Sequence, residues 1–162
     1  MPAIEIESTS ATMTESLGRV IGDLATAGDI IALDGELGSG KTQLVRGIAV
    51  GLGASPEHVA SPTYVLVHQY EPADRDRPML VHVDAYRLTG ELDEATLGLE
   101  DFDDTVMVIE WANHLANLPG EDILFIGLSH VGPEARRLVL EPTGRWRTRW
   151  DALGPALNRI RD

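Results

Sequence analysis

Gly35, Gly40, Lys41 and Thr42 stand at the spacing G-x-x-x-x-G-K-[ST], within Gly35-Glu36-Leu37-Gly38-Ser39-Gly40-Lys41-Thr42. Residues of these types at these intervals do phosphate chemistry. Glycines let consecutive backbone N–H groups turn inward onto phosphate oxygens, one lysine reaches the β- and γ-phosphates, and one hydroxyl holds Mg²⁺. Glu36, Leu37, Gly38, Ser39 and Gly40 thus form the expected cradle, Lys41 its charge, and Thr42 the first metal ligand. Lys41 is the one lysine of the chain, and the other twelve basic residues are arginines. A chain that otherwise does without lysine keeps one where a compact ammonium belongs beside phosphates.

Magnesium prefers octahedral oxygen geometry and shares its sites with substrate phosphates, so a carboxylate should complement Thr42, directly or through water. Asp84 closes the apolar run Met79-Leu80-Val81-His82-Val83, and Glu110 closes Thr105 to Ile109. In open α/β sheets the ligand crevice lies outside the carboxyl ends of the strands, which brings both acids toward the phosphate loop. Position alone does not rank them, and either could instead cap a helix or turn. Ser61 and Thr63, in Ser61-Pro62-Thr63, could donate to a γ-phosphate as a switch-like segment or form an ordinary turn. Trp111 could stack beside a nucleotide or belong to the core. His82, inside an apolar strand, reads as a satisfied core residue, and the five histidines lack ligand spacing.

These residues need a scaffold of alternating strands and helices. Ile4 and Ile6 alternate with Glu5 and Glu7, the period of a half-buried edge strand. Thr12 lies three before Glu15, a capping-box spacing, and Leu17, Val20, Ile21, Leu24 and Ala25 form one helical stripe running to Gly28. Asp29 to Leu33 lacks polar alternation within its apolar run and should be a central strand. Leu44, Val45, Ile48 and Leu52 continue the loop into a helix that stops at Gly53. Strands follow at Tyr64 to Tyr70, Met79 to Val83 and Thr105 to Ile109, then a short helix near Ala112 to Asn117. Strands at Ile123 to Leu128 and Arg137 to Leu140 precede a final helix from about Arg149. We therefore expect one α/β domain over residues 1–162, a P-loop sandwich with a mostly parallel central sheet flanked by helices.

Composition narrows the classes. With 162 residues and 43% apolar content the chain can bury a real core. The absence of cysteine excludes disulfides, thiolate metal sites and cysteine nucleophiles. No leader or membrane span is evident, so a soluble cytoplasmic protein is expected. A net charge of −13 argues against a free-standing nucleic-acid binder. The charge is uneven: Glu91 to Asp104 holds seven acids and no base, a solvated face or a docking surface for a basic partner.

The loop together with Ser61-Pro62-Thr63-Tyr64, His82-Val83-Asp84-Ala85-Tyr86-Arg87-Leu88 and Glu110-Trp111, in this order, resembles the TsaE family (formerly YjeE) over about residues 10–140. The resemblance implies a small bacterial P-loop ATPase that binds ATP and Mg²⁺ in the making of threonylcarbamoyladenosine in tRNA. It also implies TsaB and TsaD as partners, with tRNA reached only through them. Carried over by position, Lys41 and the loop amides hold phosphates, Thr42 and Glu110 hold Mg²⁺, and Asp84 orients water near the γ-phosphate. Arg136 resembles a nucleotide-contacting arginine of that family. Ala112-Asn113 departs from the pattern, since relatives often have proline followed by an acidic or amide residue there.

Three rivals share the loop. A small-molecule kinase needs an arginine-bearing lid, for which Asp74-Arg75-Asp76-Arg77 is the internal candidate. A GTP switch typically needs an Asn-Lys-x-Asp element, impossible with the one lysine already used. A nucleotide sensor would bind without hydrolysis.

Overall fold

In the computed structural model, which describes residues 2–59, 67–86, 98–115 and 117–161, seven strands form one sheet. The strands are β1 (Ile4–Ser8), β2 (Ile30–Asp34), β3 (Val67–Tyr70), β4 (Leu80–Asp84), β5 (Val106–Glu110), β6 (Ile123–His130) and β7 (Arg136–Pro142). Their spatial order is β1-β7-β6-β2-β5-β4-β3. The uninterrupted apolar run of β2 lies buried at the centre, as expected for a strand covered on both faces. β1 takes the edge that its alternation implies.

The sheet is mixed rather than mostly parallel. β6, β2, β5 and β4 run parallel, while β1–β7, β6–β7 and β3–β4 are antiparallel. Chain connectivity is the reason. β6 and β7 are joined through a tight turn closed by the Val131 amide on the Ala135 carbonyl, and so short a connection can only reverse the chain. Residues 71–79 likewise fold β3 back onto β4.

The described helices are α1 (Ala11–Leu24), α2 (Lys41–Leu52) and α3 (Trp150–Asn158). All three share one core with a single sheet face, represented by Leu17 and Ile21, Leu44 and Ile48, and Leu153 against Ile31, Val108 and Ile126. The opposite face, with Ala32, Val83 and Ile109, is covered among the described residues by Leu99, Ala112 and Leu115 from short 3-10 turns. Helices on both faces are therefore not what the described residues present. The short helix expected near Ala112 shrinks to one such turn at Ala112–His114.

α1 is capped by Ser10 rather than Thr12. Ser10 is extended (φ −154°, ψ 163°), and its Oγ accepts from the Met13 amide, whereas Thr12 lies within the helix. The helix ends at Leu24, before Gly28, because the Thr26 amide donates to the Asp29 carboxylate and turns the chain into β2.

Glycines bring α1 against α2. A β-carbon at Gly47 would lie 2.0 Å from the Glu15 carbonyl oxygen, and one at Gly18 2.3 Å from that of Leu44. Gly22 and Gly51 are equally tight, so the two backbones pack in direct contact. This contact holds in place α2, the helix into which the glycine loop leads.

Candidate functional site

The loop leaves β2 after Asp34 and enters α2 at Lys41. Gly35 is required by space, since a β-carbon would meet Ser39 Oγ at 2.5 Å and the Leu128 carbonyl at 2.8 Å. Gly38 (φ 76°) and Gly40 (φ 100°) occupy the left-handed region that favours glycine. Gly40 is the N-cap of α2 and has no side chain to accept from the first-turn amides, which leaves that positive helix end for an anion. Glu36, Leu37 and Gly38 are exposed, Thr42 is half-buried, and Ser39 is buried with its Oγ unpartnered.

Lys41 is only 6% exposed. Its ammonium donates to the Gly35 carbonyl and sits 3.9 Å from the centroid of the Trp111 ring. Burial lowers its pKa, against the upward pull of Glu110, Asp84 and Asp34. Trp111 is the one non-glycine residue with positive φ (59°) among those described, and its amide donates to the Leu33 carbonyl. Tyr86 and His114 pack on its ring at centroid distances of 5.0 and 5.4 Å. Such a strained turn persists only where neighbours over-determine it.

Parallel pairing of β4 with β5 sets Asp84 opposite Glu110, and Glu110 in turn stands opposite Leu33 of β2. Both strand-end acids therefore share one row beside the loop. Burial raises the Asp84 pKa, the Tyr86 amide bonded to Oδ1 opposes this, and the Glu110 charge adds to the rise. Glu110 is 2% exposed, with Oε2 only 2.6 Å from His82 Nε2. His82 is buried as a core residue should be, but it is satisfied only at Nε2, by this candidate ligand, and its Nδ1 has no partner among the described residues. Its spacing of two from Asp84 puts both on one strand face, a signal the sequence does contain.

Arg136 opens β7, which runs antiparallel to β6 and so starts at the edge where the parallel strands end. Its guanidinium donates to the Gly38 carbonyl at 3.2 Å, and its Nε is buried without a partner. Ser61 and Thr63 lie outside the described residues, as do Arg87, Leu88 and positions 91–97 of the acidic segment. The structure thus brings together the loop, Asp84, Glu110, Trp111 and Arg136. Arg77, by contrast, donates to the carbonyls of Gly22 and Gly51 near the far ends of α1 and α2. The Asp74-Arg75-Asp76-Arg77 turn is therefore at the opposite edge and forms no lid over this site.

The family model described as threonylcarbamoyl adenosine biosynthesis protein TsaE matches residues 8–138. The chain belongs to the TsaE family. A Streptomyces coelicolor relative, named tRNA threonylcarbamoyladenosine biosynthesis protein TsaE, is 41% identical over 143 residues, spanning 82% of this chain and 93% of its own. A Mycobacterium tuberculosis relative of the same name is 36% identical over 140 residues, 82% of each chain. The crystal structure of Bacillus subtilis YdiB superposes with a TM-score of 0.69 at 24% identity, over 97% of this chain and 95% of that one. At that identity the likeness speaks to the fold alone. Membership in the TsaE family associates the chain with threonylcarbamoyladenosine biosynthesis in tRNA. No helix among the described residues is long and apolar enough to cross a membrane.

Proposed function

We propose that this TsaE-family chain binds Mg²⁺-ATP at the glycine loop, hydrolyses it slowly, and works with TsaB and TsaD in threonylcarbamoyl transfer to tRNA. The observation that carries this reading is the convergence of an uncapped helix N-terminus, the buried Lys41 ammonium and the Asp84–Glu110 row at one sheet edge. The residues fit a nucleotide. Asp34 Oδ1, Ser39 Oγ and Arg136 Nε, all at or against the loop, are buried polar atoms without partners, and Lys41 is held by a backbone oxygen and a ring that phosphate oxygens would replace. They also fit Mg²⁺, because a hydroxyl and carboxylates are the hard oxygen donors it takes.

Phosphoryl transfer asks a protein chiefly for positioning and charge. Lys41 and the first-turn amides of α2 would grip the phosphate oxygens, with Arg136 on the outer side of the loop. Thr42 and Glu110 would hold the metal, whose chemistry is to neutralise charge that builds on the phosphates. Asp84 would accept a hydrogen bond from the attacking water and so orient it. Thr63 belongs to this set by sequence position. Trp111 keeps Lys41 against the loop before ligand arrives. An acidic chain with net charge −13 leaves contact with tRNA to its partners.

Calorimetric titration with ATP and with GTP, with and without Mg²⁺, tests the site. We expect ATP to bind more tightly than GTP and Lys41→Ala to lose binding. A clear GTP preference, or Lys41→Ala binding like the parent, would overturn the reading. A small-molecule kinase is disfavoured because its candidate lid arginines lie at the opposite edge.

A further inference from the structure

His82 sits between Val81 and Val83 in a strand whose other central residues are apolar, and it is 0% exposed. A residue wanted only for volume there would be leucine or methionine, because burying an imidazole with one nitrogen unpaired costs free energy. His68, directly across on β3, is engaged with the Tyr70 hydroxyl at 3.1 Å. The 2.6 Å contact to Glu110 Oε2 is therefore the interaction that gives His82 a purpose.

We propose that His82 is the positioning residue for Glu110. Its Nε2 fixes one carboxylate oxygen at the end of β5, stops the side chain from rotating about its terminal bond, and leaves Oε1 as the oxygen that would meet a metal. This rests on the reading of Glu110 as a Mg²⁺ ligand. An outer partner that orients a ligating carboxylate typically governs about 10–100-fold of metal affinity or activity.

The test compares His82→Leu, which keeps bulk without a donor, with His82→Gln, whose amide nitrogen can reach the place of Nε2. Each is melted by circular dichroism to check folding, then titrated calorimetrically with a non-hydrolysable ATP analogue across Mg²⁺ concentrations. We expect His82→Leu to raise the Mg²⁺ requirement for tight binding by about 10–100-fold, to leave metal-free nucleotide affinity unchanged, and to be largely rescued by His82→Gln. In a Glu110→Gln background, His82→Leu should add little. A folded His82→Leu with the parent's Mg²⁺ dependence would overturn the proposal. So would a folded His82→Gln that loses it as fully as Glu110→Gln does, and this second comparison decides should the leucine variant not fold. A parent protein whose nucleotide binding ignores Mg²⁺ would sink the reading of Glu110 itself, and this proposal with it.

Discussion

The Lys41 ammonium rests 3.9 Å from the centroid of the Trp111 ring, so the loop's cation is stored on an aromatic face held at positive φ. Cation–π contacts that are shielded from water are worth up to about 2 kcal/mol. A phosphate that takes Lys41 must therefore draw it from Trp111. We expect ATP to change Trp111 emission, and Trp111→Phe to abolish that change while retaining binding. An emission change that survives Trp111→Phe would place its source at Trp146 or Trp150 and count against this picture.

Asp84 carries a cost of burial. Its pKa is raised, first by burial, above the ordinary 3.8. Between 3.8 and the raised value the folded chain holds the proton more tightly than the unfolded chain, so stability falls as pH rises through that window. Asp84→Asn keeps an oxygen for the Tyr86 amide and removes the charge. We expect its melting temperature without Mg²⁺ to rise at pH 7 by a few degrees, with the gain shrinking as pH falls toward 3.8. A melting temperature lowered at pH 7 would refute this.

The helix crossing leaves no room for a methyl group. Gly47→Ala would drive a β-carbon to 2.0 Å from the Glu15 carbonyl, a backbone atom that cannot swing away. We expect a loss of about 3 kcal/mol or more in urea unfolding, with weakened nucleotide binding because α2 carries the loop. Parent-like stability would mean that the helices can separate freely.

Asp29 is fully buried and held by Arg149 at 2.6 and 3.0 Å, across 120 residues of chain. Arg149 also stacks on Trp146 at 4.3 Å. Arg149→Ala removes two hydrogen bonds from this buried carboxylate, while Arg145 at 3.6 Å and the Thr26 amide still face it, so we expect a loss of about 1.5–3 kcal/mol in denaturant unfolding. A loss under about 1 kcal/mol would show the pair to be dispensable.

What can be read from the sequence here is what short spacing decides. The loop pattern, the unbroken apolar run of β2 and the left-handed Gly53 stop of α2 are all local, and each lies where its residues imply. Asp84 and Glu110 are legible as strand ends, but their facing register is not, because pairing depends on residues far apart in the chain. His82 misleads for the same reason: alone it is a polar intruder in an apolar strand, and only Glu110 on the next strand explains it. The mixed sheet is a matter of connection length, and the Gly132-Pro133 turn between β6 and β7 is visible once strand ends are known. Glycines at spacing four in both α1 and α2 look like weak helix positions until the two helices are set together.

Dependence of the proposed ATPase on its partners is tested most directly by steady-state ATP turnover of the purified chain, alone and with TsaB and TsaD. We expect slow turnover alone, at least about tenfold stimulation by the pair, and loss of both in Lys41→Ala. Rapid turnover with a small-molecule acceptor, or no stimulation by the partner pair, would contradict it.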